Sequence, residues 1–242
     1  SVNREIDILR AIWWCAKKAR FDIGEMPEWR ALYLRVAQQP PRELQSGEET
    51  AIFDALADDA RDAVMFALIS GWRKGEVIGL RWQDLDLARG EARTRIKGGD
   101  IVVRPLNAAL VALIANQPKV GPFVFTYVCR KTRIEGRDKL GRKSPARRKG
   151  ERYPLTVTAL RVRWDEARKA AEVQGFRFHD LRHTAATRIL RATQNIATTK
   201  KVLRHTRVET TMRYAHVLDD DVRDALDAGM SRTIPEQVNA DK

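Results

Sequence analysis

Cysteine is nearly absent: Cys15 and Cys129 are the only two in 242 residues. They are far apart and match no paired metal or redox spacing, which excludes a disulfide framework and a cysteine zinc site. Cys15 lies in the apolar run AIWWCA and is expected to be a small buried hydrophobe. A reduced, cytoplasmic setting is the simplest expectation. Long apolar runs are missing too. The longest, AVMFALI and ALVALIA, fall far short of the roughly 18 residues needed to span a bilayer, so no membrane partner is expected. No internal repeat and no heptad pattern is present. Acidic residues are in deficit, 32 against 45 Lys and Arg, giving a net charge of +13 and a pI near 10.1. Such a balance points to a polyanionic partner, with nucleic acid the usual one; the plainer alternative is charge that only keeps the chain dispersed. Apolar residues make up 43%, enough for one large domain, or one domain and part of another.

The pattern along the chain is mostly helical with one small antiparallel three-stranded sheet, an α+β class. Residues Val2 to Arg20 read as a helix with Ile6, Leu9, Ile12 and Trp13 on one stripe. QQPPRELQSGEE reads as a linker, and Ser46 with Glu49 as a capping box opening a helix near Gly47. An apolar helix spans Asp59 to Ser70, stopped by Gly71, and a short one spans Glu76 to Leu80. The period then shortens: LDLARGEARTRIKGGDIVVRPLN predicts three strands, turning at Arg89-Gly90 and at Gly98-Gly99-Asp100. A helix over Asn107 to Asn116 follows. Arg130 to Arg152 carries eleven Lys or Arg against three Asp or Glu, so +8 of the chain's +13 sits there. Gly136, Gly141, Pro145 and Gly150 argue against regular structure, and the segment reads as a basic loop. Thr156 caps a helix running to about Val173, another starts near His179, and shorter ones cover Ile196 to Arg204, Val208 to Ala215 and Asp219 to Ala228.

The stretch FHDLRHTAAT crowds His179, Asp180, Arg182 and His183 together. At 100° per residue, His179, Arg182 and His183 share a helix face. Three chemistries could ask for this. Histidines four apart suit a metal, but the second residue is Asp rather than Glu and a cation sits between the ligands. An arginine fork beside a histidine suits a phosphate. A plain polar helix face is the third. A phosphodiester target would call for a second cation and a nucleophile elsewhere. Arg73 in GWRKGE, Lys97 in IKGGD, His205 and Tyr214 in VLRHTRVETTMRYAHV supply them.

Read in order, Arg73, Lys97, His179-x-x-Arg182, His205 and Tyr214 make the chain resemble the tyrosine recombinases, also called the phage integrase family. The likeness covers roughly Leu44 to Val217. It implies the catalytic fold shared with type IB topoisomerases, with residues 1–40 the end of a core-binding domain plus linker, 41–230 the catalytic domain and 231–242 a tail. It implies an enzyme that breaks and rejoins DNA without metal, ATP or other cofactor. Tyr214 would be the nucleophile that forms a 3′-phosphotyrosyl link. Arg73 and Arg182 would hold the non-bridging oxygens, Lys97 would protonate the leaving 5′-oxygen, His179 would take the tyrosine proton or bond the phosphate, and His205 would donate to a non-bridging oxygen. Glu76, Asp180 and His183 would support them. Double-stranded DNA at an attachment site and a homotetramer on that DNA, monomeric when free, are the implied partners. Arg130, Lys131, Arg133, Arg147, Arg148 and Lys149 would grip its backbone. One departure stands out: Arg204 occupies the place before His205 where the family usually has glycine, and could add a further phosphate contact. The alternative is a DNA-binding protein that keeps the fold without the chemistry.

Overall fold

The computed structural model describes residues 2–35, 42–95, 101–137, 141, 143–215 and 218. The chain divides into two compact units, residues 1–40 and 41–242.

The first unit is helix α1 (Val2–Lys18) and the short α2 (Trp29–Leu32). The Asn3 side chain brackets Leu34, donating to its carbonyl and accepting from its N–H, both at 2.9 Å. Trp13 meets Trp29 edge-on at 6.5 Å. Of the predicted stripe, Ile6 is buried while Leu9 and Ile12 are exposed. Cys15 is exposed, contrary to the expectation from its apolar neighbours. Nine residues beyond Ile6, it lies half a turn around the helix from the buried side.

The second unit is built around α4 (Asp58–Ser70). Before it, α3 spans Ser46–Ala55. The expected Ser46–Glu49 capping box is displaced by one residue: Gln45 is the cap, and its N–H donates to Glu48 at 3.2 Å. Asp58 and Asp59 open α4, where negative charge favours the helix dipole, and Gly71 closes it at φ +63°. α4 carries Ala63, Val64, Phe66 and Ala67 into the core, against Val77, Leu110, Ile114, Phe125, Leu160 and Leu181. The sheet sits beside α5 (Lys74–Ile78) and runs β1 (Leu85–Asp86), β2 (Glu91–Arg95), β3 (Ile101–Pro105), all antiparallel. Arg104 pairs across to Ala92 and is buried, while its neighbours Val103 and Pro105 are exposed. α6 (Ala108–Ala115) forms where a helix was expected and is capped by Asn107.

The basic segment is more ordered than its composition predicts. Strands β4 (Thr126–Val128) and β7 (Arg152–Pro154) pair antiparallel, as do β5 (Gly136–Arg137) and β6 (Lys143–Ser144), with Arg133 bridged to Arg147 between them. A ribbon replaces the expected loop. Gly141 and Gly150, at φ +73° and +86°, supply turns instead of breaking the pairing. The base is tied to the core by Arg163, which donates twice to Asp59 at 2.6 Å and once to the Val128 carbonyl at 2.8 Å.

Helices α7 (Val157–Ala170, capped by Thr156), α8 (Asp180–Thr193), α9 (Ile196–Leu203, capped by Asn195) and α10 (Glu209–Met212) complete the unit. The predicted turn at 98–100, the residues Lys97 and His216, the predicted helix over 219–228 and the tail 231–242 lie outside the described residues. Among the described residues no helix is long and apolar enough to cross a membrane.

Candidate active site

Helix α8 positions the centre of the site. Leu181 and Ala185 are buried on its inner side. Asp180 is buried at the entrance and accepts from the Arg177 N–H at 2.7 Å and from Nη2 at 3.3 Å, so its carboxylate fixes the turn that starts the helix. Arg182 is only 4% exposed. Its Nη1 donates to the Gly71 carbonyl at 2.6 Å, and its Nη2 to the Leu203 carbonyl. One guanidinium thus links the end of α4 to the end of α9, using two of its five N–H donors. Burial, together with the Arg73 charge, brings its pKa down to about 10.

Arg73 is exposed, at the start of α5. Glu76 accepts from the Arg73 N–H at 2.9 Å and from Nη1 at 3.2 Å, and from Arg104 Nη1 at 2.9 Å. Burial alone would raise the Glu76 pKa, but these donors hold it below its usual value. Arg104 lies 3.9 Å over the Trp72 ring and donates to the Val202 carbonyl at 3.3 Å; burial lowers its pKa to about 10 against the pull of Glu76. Sequence reasoning missed Arg104. Its signal was there, as an arginine at an inward position of an alternating strand.

Tyr214 follows α10 and is 2% exposed, packed with Ala186, Leu190 and Leu203. Its hydroxyl meets His183 Nδ1 at 2.5 Å. Its ring lies nearly parallel to that of His205, 7° between planes and 6.4 Å between centroids. His205 in turn bonds Thr211 Oγ1 through Nδ1 at 2.9 Å. Thr211, fully buried one turn before Tyr214, was not visible as a site residue in the sequence. With Nδ1 accepting from that hydroxyl, Nε2 of a neutral His205 carries the proton and can donate. His179 meets His183 edge-to-face at 5.3 Å. Among the described residues no hydrogen bond joins His179 to Tyr214; the phenol's partner is His183.

The electrostatics are consistent across the cluster. Burial first, and then neighbouring charges, lower all three histidines: His179 below its usual value, His183 and His205 to about 4. Arg182 and Arg73 both contribute at His205. Burial raises the Tyr214 phenol, with Arg182 and Arg213 opposing. At neutral pH the site is two guanidiniums, three neutral imidazoles and a protonated phenol. It can bind an anion between the arginines and offers a nucleophile beside an unprotonated base.

Arg204 ends α9 at φ +56° and ψ +50°, the left-handed region that favours glycine. Its Nη1 is buried without a hydrogen-bond partner among the described residues. On the ribbon, Arg147 packs near the Tyr127 and Tyr153 rings, 5.6 and 5.7 Å from their centroids, and donates to the Tyr127 hydroxyl. Arg130 pairs with Glu166 at 2.6 Å. Lys131, Arg133, Arg148 and Lys149 are exposed.

The structure therefore brings Arg73, Glu76, His179, Arg182, His183, His205 and Tyr214 into one cluster. Comparison with known proteins places the chain as a whole. The integrase of Salmonella phage P22 is 30% identical over 182 residues, covering 73% of this chain and 44% of its own length. The tyrosine recombinase XerC of Staphylococcus carnosus is 25% identical over 235 residues, 92% of this chain and 73% of that protein. The chain thus spans less than half the length of the first and about three quarters of the second. Among solved structures, a complex of the Tn1549 transposon integrase with transposon right end DNA matches with a TM-score of 0.59 at 19% identity, covering 94% of this chain and 78% of that one. A lambda integrase dimer bound to a core site matches with a TM-score of 0.58 at 16% identity, covering 84% and 71%. The sequence matches the phage integrase family over residues 42–221, and the chain belongs to that family.

Proposed function

We infer that this chain is a site-specific DNA strand transferase that joins DNA to Tyr214. The observation that carries the reading is the placement of buried Tyr214, its hydroxyl on the His183 imidazole and its ring facing that of His205, in the same cluster as Arg182 and Arg73. Binding DNA needs no such phenol. In this reading Tyr214 attacks a backbone phosphorus and a 3′-phosphotyrosyl bond forms as the 5′-oxygen leaves. The energy of the broken phosphodiester stays in the new bond, so a 5′-hydroxyl from another strand can reseal the DNA without ATP. Arg73 and Arg182 hold the non-bridging oxygens, and His205 Nε2 donates to one of them; losing one such preorganised donor raises the barrier by about 3 kcal/mol. Glu76 orients Arg73. His179 bonds the phosphate from the exposed end of α8. Lys97, outside the described residues, is assigned the proton for the leaving oxygen.

Integration or excision of a mobile element at an attachment site, in the cytoplasm of a bacterium or infected host, is the biological setting this reading favours. The exposed cations Lys131, Arg133, Arg148, Lys149 and Arg130, with Arg204, contact the DNA backbone; such contacts position the protein without reading sequence. Residues 1–40 are the end of a second DNA-binding domain, and four copies assemble on two duplexes through residues beyond 218. Arg147, held by Tyr127, stiffens the ribbon.

A nicked suicide duplex carrying the junction sequence of the encoding element tests the chemistry. A denaturant-resistant protein–DNA adduct in EDTA, absent in Tyr214→Phe, is the expected result. Tight DNA binding with no adduct would move the reading to a DNA-binding protein on the same fold.

A further inference from the structure

We propose that His183, rather than His179, is the general base of the reaction: it holds the Tyr214 hydroxyl and takes its proton as the phenol oxygen bonds to phosphorus. This rests on the function proposed above. The geometry makes the choice. His183 Nδ1 lies 2.5 Å from the Tyr214 oxygen, whereas His179 reaches the His183 ring edge and not the phenol. The arrangement is rigid on both sides. His183 sits in the first turn of α8, one residue after the anchored Arg182. Tyr214 is packed by Leu190 and Leu203 and faces the His205 ring.

A proton can move only to a nitrogen with a free lone pair. The groups around His183 are His179, Asp180, Arg182, Arg213 and Tyr214. Burial and the net cationic surroundings keep its pKa near 4, so the ring is neutral at working pH. In the tautomer with the proton on Nε2, Nδ1 accepts from the phenol. In the free protein the transfer is uphill, because the phenol is raised and the imidazole lowered. It becomes favourable as the step proceeds. The incoming phosphate adds negative charge that raises the imidazole, and the forming Oη–P bond acidifies the phenol. The Oη–H electron pair becomes the Oη–P bond, the proton goes to Nδ1, and the P–O5′ pair leaves on the 5′-oxygen, which is protonated by the general acid. In resealing, Nδ1–H returns the proton to the departing phenol oxygen.

The test uses the 242-residue chain and the same nicked duplex. His183→Asn places an amide oxygen near the Nδ1 position, so it can hold the hydroxyl but not accept its proton. Adduct formation is expected to slow about a hundredfold or more, with DNA affinity unchanged and a smaller effect from His179→Asn. Trifluorotyrosine at position 214, a more acidic phenol, should restore much of the lost rate in His183→Asn; a packing role would not respond. Nitrogen-15 NMR of the free protein should find His183 neutral above pH 5, with Nδ1 unprotonated. If the wild type forms the Tyr214 adduct and His183→Asn stays within threefold, or the fluorinated phenol restores nothing, the base assignment falls while the function stands. If the wild type forms no adduct, the function falls and the base role with it. An Nδ1–H tautomer in the NMR spectrum would overturn the proposal on its own.

Discussion

Arg182 Nη1 donates to the carbonyl of Gly71 at 2.6 Å, across 111 residues of chain. The bond joins the glycine that ends the central helix to the arginine at the heart of the site. It also explains why the fold needs glycine there. Gly71 sits at φ +63°, and a Cβ on it would lie 2.7 Å from Leu203 Cδ2 and 3.3 Å from the Ala185 methyl. Leu203 supplies the other carbonyl that holds Arg182. Backbone conformation, helix packing and arginine placement therefore depend on one residue without a side chain.

Gly71→Ala should consequently damage stability and chemistry together. The left-handed conformation costs an alanine about 1 kcal/mol, and displacing Leu203 adds a packing loss of about 1–3 kcal/mol. Urea denaturation should show about 2–4 kcal/mol of destabilisation. Under conditions where the variant is still folded, adduct formation should fall more than tenfold because both Arg182 anchors shift. An unchanged adduct rate in folded Gly71→Ala would disconnect the anchor from the chemistry.

Glu76 and Arg104 should behave as a coupled pair. Arg104 is 5% exposed in its side chain and Glu76 21%, at 2.9 Å. Arg104→Met leaves the carboxylate half-compensated by Arg73 alone, and removing one partner of a buried pair costs about 3–5 kcal/mol. Glu76→Gln strands the buried guanidinium over Trp72. The double variant should be destabilised by less than the two single losses together, as read by a thermodynamic cycle from denaturant unfolding. Additive losses would mean that each residue acts through other partners.

The sequence made some of this legible and not the rest, for identifiable reasons. The Thr156 cap and the Gly71 stop are local signals, and the helices appeared where these placed them. The helical spacing of His179, Arg182 and His183 put all three on one side of α8. It could not say which imidazole meets Tyr214, because that depends on how the α9–α10 segment packs, 31 residues downstream. The β4–β7 pair was hidden for a related reason. Its strands are three residues each and lie on either side of a polar, glycine-bearing stretch, so neither shows an alternating run. What holds that ribbon together is tertiary: Arg147 at the Tyr127–Tyr153 pair, and Arg163 at Asp59.

Arg204→Gly should have opposite effects on stability and on DNA binding. At φ +56° the arginine carries the left-handed strain that glycine escapes, and its Nη1 is buried without a partner among the described residues. Glycine should raise the unfolding free energy by about 0.5–1 kcal/mol. If Arg204 contacts a phosphate, the log–log salt dependence of DNA affinity should become shallower by about one. A stabilised variant with an unchanged slope would assign Arg204 to the surface charge alone.

The histidines predict a pH dependence with a defined sign. His183 and His205 have folded pKa values of about 4, below their ordinary value of 6.5. Between those values the unfolded chain binds more protons than the folded one, so stability falls as pH drops from 6.5 towards 4 and is flat above about pH 7. Asp59 and Glu76 are held below the usual carboxylate range, chiefly by their arginine partners and backbone N–H donors acting against burial. Their contribution is present above their ordinary values, near 4, and is lost only in stronger acid. Denaturant unfolding between about pH 5.5 and 8 therefore isolates the histidines. His183→Asn and His205→Asn should each flatten the slope, by up to about 1.4 kcal/mol per pH unit. DNA should reverse the sign of the effect: a phosphate beside these rings raises their pKa, so binding near pH 6 should take up protons. Calorimetry in buffers of different ionisation enthalpy would read that uptake directly. Proton release on binding would mean that the phosphate does not sit beside the imidazoles.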